Sequence, residues 1–301
     1  MMNILYATDG SEGALDGAHF LAGLPLSSDS QIRLLTVATE GEEGRATGER
    51  ALLSSETALS ASSAHTTLDL RRGSTSGEVL EAILCAAEEK PTDLVVVGTR
   101  GLSPVAHFFL GSVAARVAHY TPCPTLIARP LRGKLNRVVL GVDGSAGSEQ
   151  AASWLLGFPL PPECEVRLVT VVTPMTAAAA SHLLLPSLVH EVQALAHQER
   201  DRAKERLTSL AASFAAGGKR AVTEIRSHEP TSGLLEIAEE QSADLIVVGA
   251  QGANAIDRYL LGSVSEKVLR HAHCSVLVVR PHSRRGQNNL TGQENGNEVA
   301  A

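Results

Sequence analysis

The chain has 301 residues, 44% of them hydrophobic and 20% charged, with a formal net charge of −7 and a pI near 5.9. Such a length allows two domains of ordinary size. The acidic balance, without clustered Lys and Arg, excludes a nucleic-acid partner held through its phosphates. Aromatic residues make up only 3%, so the cores must come from Val, Leu, Ile and Ala, which suits parallel sheet under Ala-rich helices.

Cys85, Cys123, Cys164 and Cys274 form no CxxC pair, so neither a zinc site nor a thioredoxin-like motif is indicated, and all four read as small buried residues in a reducing compartment. The opening residues, Met1 to Gly10, read as a short strand and a polar turn rather than a leader. No span reaches the roughly 20 apolar residues of a membrane helix. The expectation is a cytoplasmic protein with no membrane partner.

In chain order, NILYAT (Asn3 to Thr8) reads as a strand that stops at Asp9-Gly10-Ser11, with Ser11 capping a helix that Gly23 and Pro25 end. QIRLLTVAT (Gln31 to Thr39) is a second strand. The acidic, Ser-rich stretch after it is only weakly periodic. Strand three covers Thr66 to Arg71, and a helix over Glu78 to Glu89 follows with Val79, Leu80, Ile83, Leu84 and Ala87 on its apolar face. DLVVV (Asp93 to Val97) is an unalternating run of the kind found at the centre of a parallel sheet. It enters VGTRGLSPVAHFFLGSV, which reaches a helix start at Gly111-Ser112, and Thr125 to Ala128 is a fifth strand.

From Lys134 the programme restarts. NRVVLGVDGS answers NILYATDGS, EVRLVTVVTP answers QIRLLTVATE, TSGLLEIAEEQSADLIVVG answers TSGEVLEAILCAAEEKPTDLVVVG, and HAHCSVLVVRP answers HYTPCPTLIARP. The offset is 134 at the first turn (143 − 9) and 151 at the glycine loop (249 − 98). The excess lies mainly between Pro174 and Lys219, where a fuller helix is expected with Leu188, Val192, Leu195, Ala196, Ala203 and Leu207 inward. The division is residues 1–130, a linker at 131–134, residues 135–281, and a disordered tail at 282–301 with little to bury.

The two loops share one spacing: Gly98, Gly101 and Gly111-Ser112 in the first copy, Gly249, Gly252 and Gly262-Ser263 in the second. Glycines let a backbone approach a phosphate, and a helix start offers N–H groups and a positive dipole end to an anion. The alternative is that these residues merely form turns, and Asp9 and Asp143 also have an ordinary turn-and-cap reading. Neither copy has the GKS or GKT of a Walker loop or a compact GxGxxG. His271 and His273, two residues apart with no matched carboxylate, read as a solvated turn rather than a metal pair. No catalytic residue stands out.

This pattern resembles the universal stress protein family in its ATP-binding branch, duplicated in tandem. The resemblance implies two α/β, Rossmann-like domains of the HUP or adenine nucleotide alpha hydrolase-like type, each a five-stranded parallel sheet of order 3-2-1-4-5 with helices on both faces. It also implies ATP, and in a protein this acidic Mg2+ is expected to shield the triphosphate. On that resemblance Asp9 and Asp143 contact the nucleoside end and Val37 and Val171 the adenine side. Gly98, Gly101, Gly111, Ser112 and Val113 form the ribose and phosphate loop of copy one. Gly249, Gly252, Gly262, Ser263 and Val264 form that of copy two. Each loop keeps one cation at a different place, Arg100 against Gln251 and His107 against Arg258, so the two affinities can differ.

The function expected is a nucleotide-dependent stress-response module with at most slow ATP hydrolysis, since no general base or transfer-stabilising lysine is evident. An enzyme that adenylylates a substrate, and a scaffold with one or both sites silent, stay open as alternatives. The last strands, TLIAR and SVLVVR, read as sheet edges that invite pairing. Relatives dimerise through this strand, so the resemblance implies an internal pseudo-dimer of the two halves, with a homodimer possible beyond it.

Overall fold

The computed structural model describes residues 1–99, 110–173, 186–252 and 261–280, with side chains described for all of these but 186–192. The first half runs β1 (Asn3–Ala7), α1 (Glu12–Ala22), β2 (Gln31–Ala38), α2 (Glu42–Ala58), β3 (His65–Arg72), α3 (Ser76–Glu89), β4 (Leu94–Gly98), α4 (Ser112–Tyr120) and β5 (Thr125–Ala128). The second runs β6 (Arg137–Gly141), α5 (Ala146–Gly157), β7 (Glu165–Val172), α6 (Pro186–Ala216), β8 (Arg220–Ser227), α7 (Pro230–Glu240), β9 (Leu245–Gly249), α8 (Ser263–His271) and β10 (Ser275–Val279).

Strands that alternate with helices must cross over to pair in parallel, and both halves do so, in the order β3-β2-β1-β4-β5 and β8-β7-β6-β9-β10. Each is a Rossmann-like α/β unit of order 3-2-1-4-5. The two sheets meet at β5 and β10, which pair antiparallel through Thr125↔Val278, Leu126↔Leu277 and Ile127↔Val276, giving one sheet of ten strands. Leu277 is the counterpart of Leu126 (277 − 126 = 151), so this pairing is self-reciprocal.

Consecutive residues of a strand point to opposite faces, and the apolar core divides accordingly, by face rather than by half. Leu94, Val96, Leu245, Val247 and Leu277 lie on one face with Phe20, Leu155, Leu207 and Phe214 from α1, α5 and α6. Val95, Val97, Ile246, Val248 and Val276 lie on the other with Ile83, Val117, Ile237 and Val268 from α3, α4, α7 and α8. Both clusters run through residues of both halves. Full burial of each such side chain contributes about 1.5–3 kcal/mol before entropic costs.

Four expectations need correction. The weakly periodic stretch after β2 is a 17-residue helix, α2, whose buried face is Gly48, Ala51, Leu52 and Ser55. Small inward residues let it lie close on the sheet, with a Cβ on Gly48 standing 2.9 Å from that of Ala38, and they erase the apolar contrast that periodicity relies on. On α6, Ala203 and Leu207 are buried as expected, but Leu195 is 54% exposed. A helix of 31 residues is about 46 Å long, against roughly 26 Å for an eight-residue strand, so the sheet cannot cover its whole stripe.

The shared TSG is not structurally equivalent. Thr75 is the N-cap of α3, forming a capping box with Glu78, whereas α7 is capped by Glu229 with Pro230 at its start, so Thr231 lies inside the helix. Finally, Cys85 is exposed, while Cys123, Cys164 and Cys274 are buried. Burial pushes those three thiols up to about 12. The expected tail lies outside the described residues, and none of the described helices is long and apolar enough to cross a membrane.

Candidate functional site

In each half the chain leaves the first strand toward one neighbour and the fourth toward the other, so a crevice opens beyond their C-terminal ends, where such sheets bind ligands. Two cavities stand there, of ≈ 300 Å³ in the first half and ≈ 290 Å³ in the second.

One wall is the turn after the first strand. Gly10 and Gly144 adopt φ of 75° and 77°, the left-handed region where a Cβ is unfavourable. The preceding aspartates brace the turn: Asp9 Oδ1 accepts the Ser11 N–H at 3.0 Å, and Asp143 Oδ1 accepts the Ser145 N–H at 2.9 Å and its hydroxyl at 2.5 Å. Ser11 and Ser145 then cap α1 and α5 by accepting the N–H of Ala14 and Ser148, both at 3.2 Å. The turn reading of both aspartates therefore holds, and both carboxylates also line the cavities.

The opposite wall is the start of α4 or α8. The loop leaving the fourth strand returns to it, because the Gly111 N–H donates to the Thr99 carbonyl and the Gly262 N–H to the Ala250 carbonyl, each at 2.7 Å. Gly111 and Gly262 are N-caps that offer no side-chain acceptor. The first-turn amides of these two helices thus lack the side-chain cap that serves α1, α3, α5 and α7. Uncapped N–H groups and a positive dipole end facing a cavity suit an anion.

Gly98 and Gly249 have a different structural reason from the one their motif suggests. A Cβ on Gly98 would stand 2.0 Å from the Gly13 carbonyl oxygen, and one on Gly249 2.4 Å from the Gly147 carbonyl carbon. Glycine is required there because the first turn of α1 or α5 packs directly on the end of the fourth strand. That contact brings the aspartate turn and the glycine loop together.

Of the residues singled out in the sequence, Asp9, Val37, Gly98, Gly111, Ser112 and Val113 line the first cavity. Asp143, Val171, Gly249, Gly252, Gly262, Ser263 and Val264 line the second. Arg100, Gly101 and Arg258 lie outside the described residues. Sequence reasoning missed the hydroxyls. In the first half Thr8 pairs its hydroxyl with that of Ser55 on α2 at 2.9 Å, and the Tyr6 hydroxyl donates to the Ala14 carbonyl at 2.5 Å. Burial raises the pKa of Tyr6 above its ordinary value. In the second, Ser148 and Ser265 line the wall beside the Asp-Gly-Ser serine, Ser145, and Ser265 Oγ donates to the Gly249 carbonyl at 2.6 Å. Only their position next to the paired motifs could have flagged them.

The model of the universal stress protein family matches residues 1–129 and 134–280. A universal stress protein of Methanocaldococcus jannaschii is 33% identical over 148 residues, which are 48% of this chain and 81% of that protein. Another, from Mycolicibacterium smegmatis, is 28% identical over 223 residues, 71% of this chain and 68% of that one. A solved universal stress protein from Archaeoglobus fulgidus has a TM-score of 0.63 at 20% identity, covering 92% of this chain and 98% of its own, a likeness of fold. With one family model matched twice along the chain and both halves ordering their strands alike, the protein belongs to the universal stress protein family, as a tandem of two of its domains.

Proposed function

We propose that this protein is an ATP-binding regulatory module with one nucleotide site in each half. The observation that carries this reading is the pair of matched cavities, each set between an uncapped helix start and a wall that carries an aspartate and the second-strand valine, Asp9 with Val37 and Asp143 with Val171. Their volumes lie at the small end for ligand pockets. In this reading the triphosphate rests on the first-turn amides of α4 and α8 and the adenine lies against Val37 or Val171. Asp9 and Asp143 face the nucleoside end.

Among the described residues there is no group of three side chains able to hold a metal, so magnesium enters with the triphosphate and its waters rather than in a protein cage. The described walls contain no Lys, Arg or His. In this reading hydrolysis is slow at most, because neither loop carries the lysine of a Walker motif to stabilise a transferred phosphoryl group. Nucleotide occupancy acts instead on stability and partner binding, in a cytoplasmic stress response. The self-reciprocal β5–β10 pairing supports treating the halves as an internal pseudo-dimer.

Calorimetry with Mg-ATP tests the reading, together with mass spectrometry of nucleotide released from the purified protein. Heat of binding and a released adenine nucleotide are expected. Neither heat nor nucleotide overturns it.

A further inference from the structure

The residues that end the two last strands are wired crosswise. Arg129 follows β5 in the first half, and its guanidinium donates from Nη2 to the Leu269 carbonyl at 2.9 Å and from Nη1 to the Cys274 carbonyl at 3.1 Å. Leu269 belongs to the last turn of α8, in the second half. Arg280 follows β10 in the second half and donates from Nη2 to the carbonyls of Ala118 at 2.9 Å and His119 at 2.7 Å. Those are the last turn of α4, in the first half. The two arginines are counterparts at the offset of the glycine loops (280 − 129 = 151).

Each helix held in this way starts at a glycine loop. The last carbonyls of a helix have no intrahelical donor, and a cation there is favoured by the negative end of the dipole. Both α4 and α8 have nine residues and are thus only about 14 Å long, so fixing the carbonyl end fixes where the amide end points. Arg280 is 7% exposed. Burial lowers the pKa of both guanidinium groups, yet arginine keeps its charge in proteins. A buried cation of one half is therefore spent on the helix that faces the other half's cavity.

We propose that Arg129 and Arg280 are positioning residues for the nucleotide sites, each acting on the site of the opposite half through the helix whose C-terminus it holds. This rests on the nucleotide reading above. The test uses the full chain in two single-site backgrounds, Val171→Trp, which fills the second cavity, and Val37→Trp, which fills the first. With only the first site open, Arg280→Gln weakens Mg-ATP binding about fivefold, the scale of a charge at a helix end, while Arg129→Gln leaves it within about twofold. With only the second site open the roles exchange.

A merely structural arginine would weaken the site of its own half, or both alike, and either pattern overturns the proposal while leaving the nucleotide reading intact. Absence of binding heat in the unsubstituted chain overturns both. Should the Gln variants not fold, Arg280→Lys and Arg129→Lys are read by amide hydrogen exchange without nucleotide. Faster exchange of the hydrogen-bonded amides beyond the first turn of α4 for Arg280→Lys, and of α8 for Arg129→Lys, is expected. Exchange that quickens in the arginine's own half overturns the crosswise arrangement.

Discussion

The two cavities have the same outline and different braces. In the first half polar groups come from the strand and from α2: Tyr6 reaches the Ala14 carbonyl and Thr8 pairs with Ser55. Their counterparts at the 134 offset are Leu140 and Val142. In the second half the hydroxyls sit instead on α5 and α8, at Ser148 and Ser265, where the first half has Ala14 and Ala114. The turn glycines are covered differently too, Gly10 by the Cβ of Ala51 and Gly144 by the guanidinium of Arg206. The turn glycines, the bare helix starts and the aspartate and serine bonds of the turns repeat where these other hydroxyl bonds do not, so the former define the shared site and the latter distinguish its copies.

The sharpest way to break that comparison is to attack the shared backbone contact. Gly98→Val and Gly249→Val each force a side chain into backbone atoms of the neighbouring helix, which cannot yield as a flexible side chain does. Each is expected to cost about 3 kcal/mol, seen as a lower urea midpoint at unchanged slope. A loss in one half alone would mean that the two contacts are not equivalent.

Next in size are the braces that occur once. Tyr6→Phe removes the buried hydroxyl bond to the Ala14 carbonyl and should cost about 1.5 kcal/mol, whereas Ser265→Ala, which makes the second site resemble the first, should cost about 1 kcal/mol by loss of its bond to the Gly249 carbonyl. Thermal melts of the two variants against the parent check both values. Equal and negligible effects would show that the braces do not distinguish the halves.

The smallest effect concerns the outer edges, where the halves agree again. Arg71 bonds Glu89 at the end of α3 at 2.5 Å, and Arg226 bonds Glu240 at the end of α7 at 2.8 Å. The hydrogen bond from arginine holds each glutamate below its ordinary pKa. A carboxylate depressed in the folded state adds stability above its unfolded pKa of about 4.3, and that stability is lost as pH falls through the folded value. Glu89→Gln and Glu240→Gln should each slightly flatten the loss of stability below about pH 4.3, measured by urea denaturation across pH. Because these groups are exposed, the change is small.

What the sequence disclosed follows the same line. The strands, the Asp-Gly-Ser turns and the glycine spacing were legible because backbone geometry demands particular residues and the chain states each demand twice. The face of α2 was not, since Gly48, Ala51 and Ser55 carry little apolar contrast. The TSG match misled because three residues can recur without sharing a helix position, as Thr75 and Thr231 show. Gly98 was recognised for a reason other than the one that requires it. The Arg129 and Arg280 bonds span 140 to 162 positions along the chain, and nothing local marks them.

The most direct measurement of the central claim is a count of nucleotides per chain by native mass spectrometry in Mg-ATP. Two are predicted for the unsubstituted protein, one for Val37→Trp, one for Val171→Trp and none for the double variant. A double variant that still carries nucleotide, or an unsubstituted chain that carries none, contradicts the assignment of the two cavities.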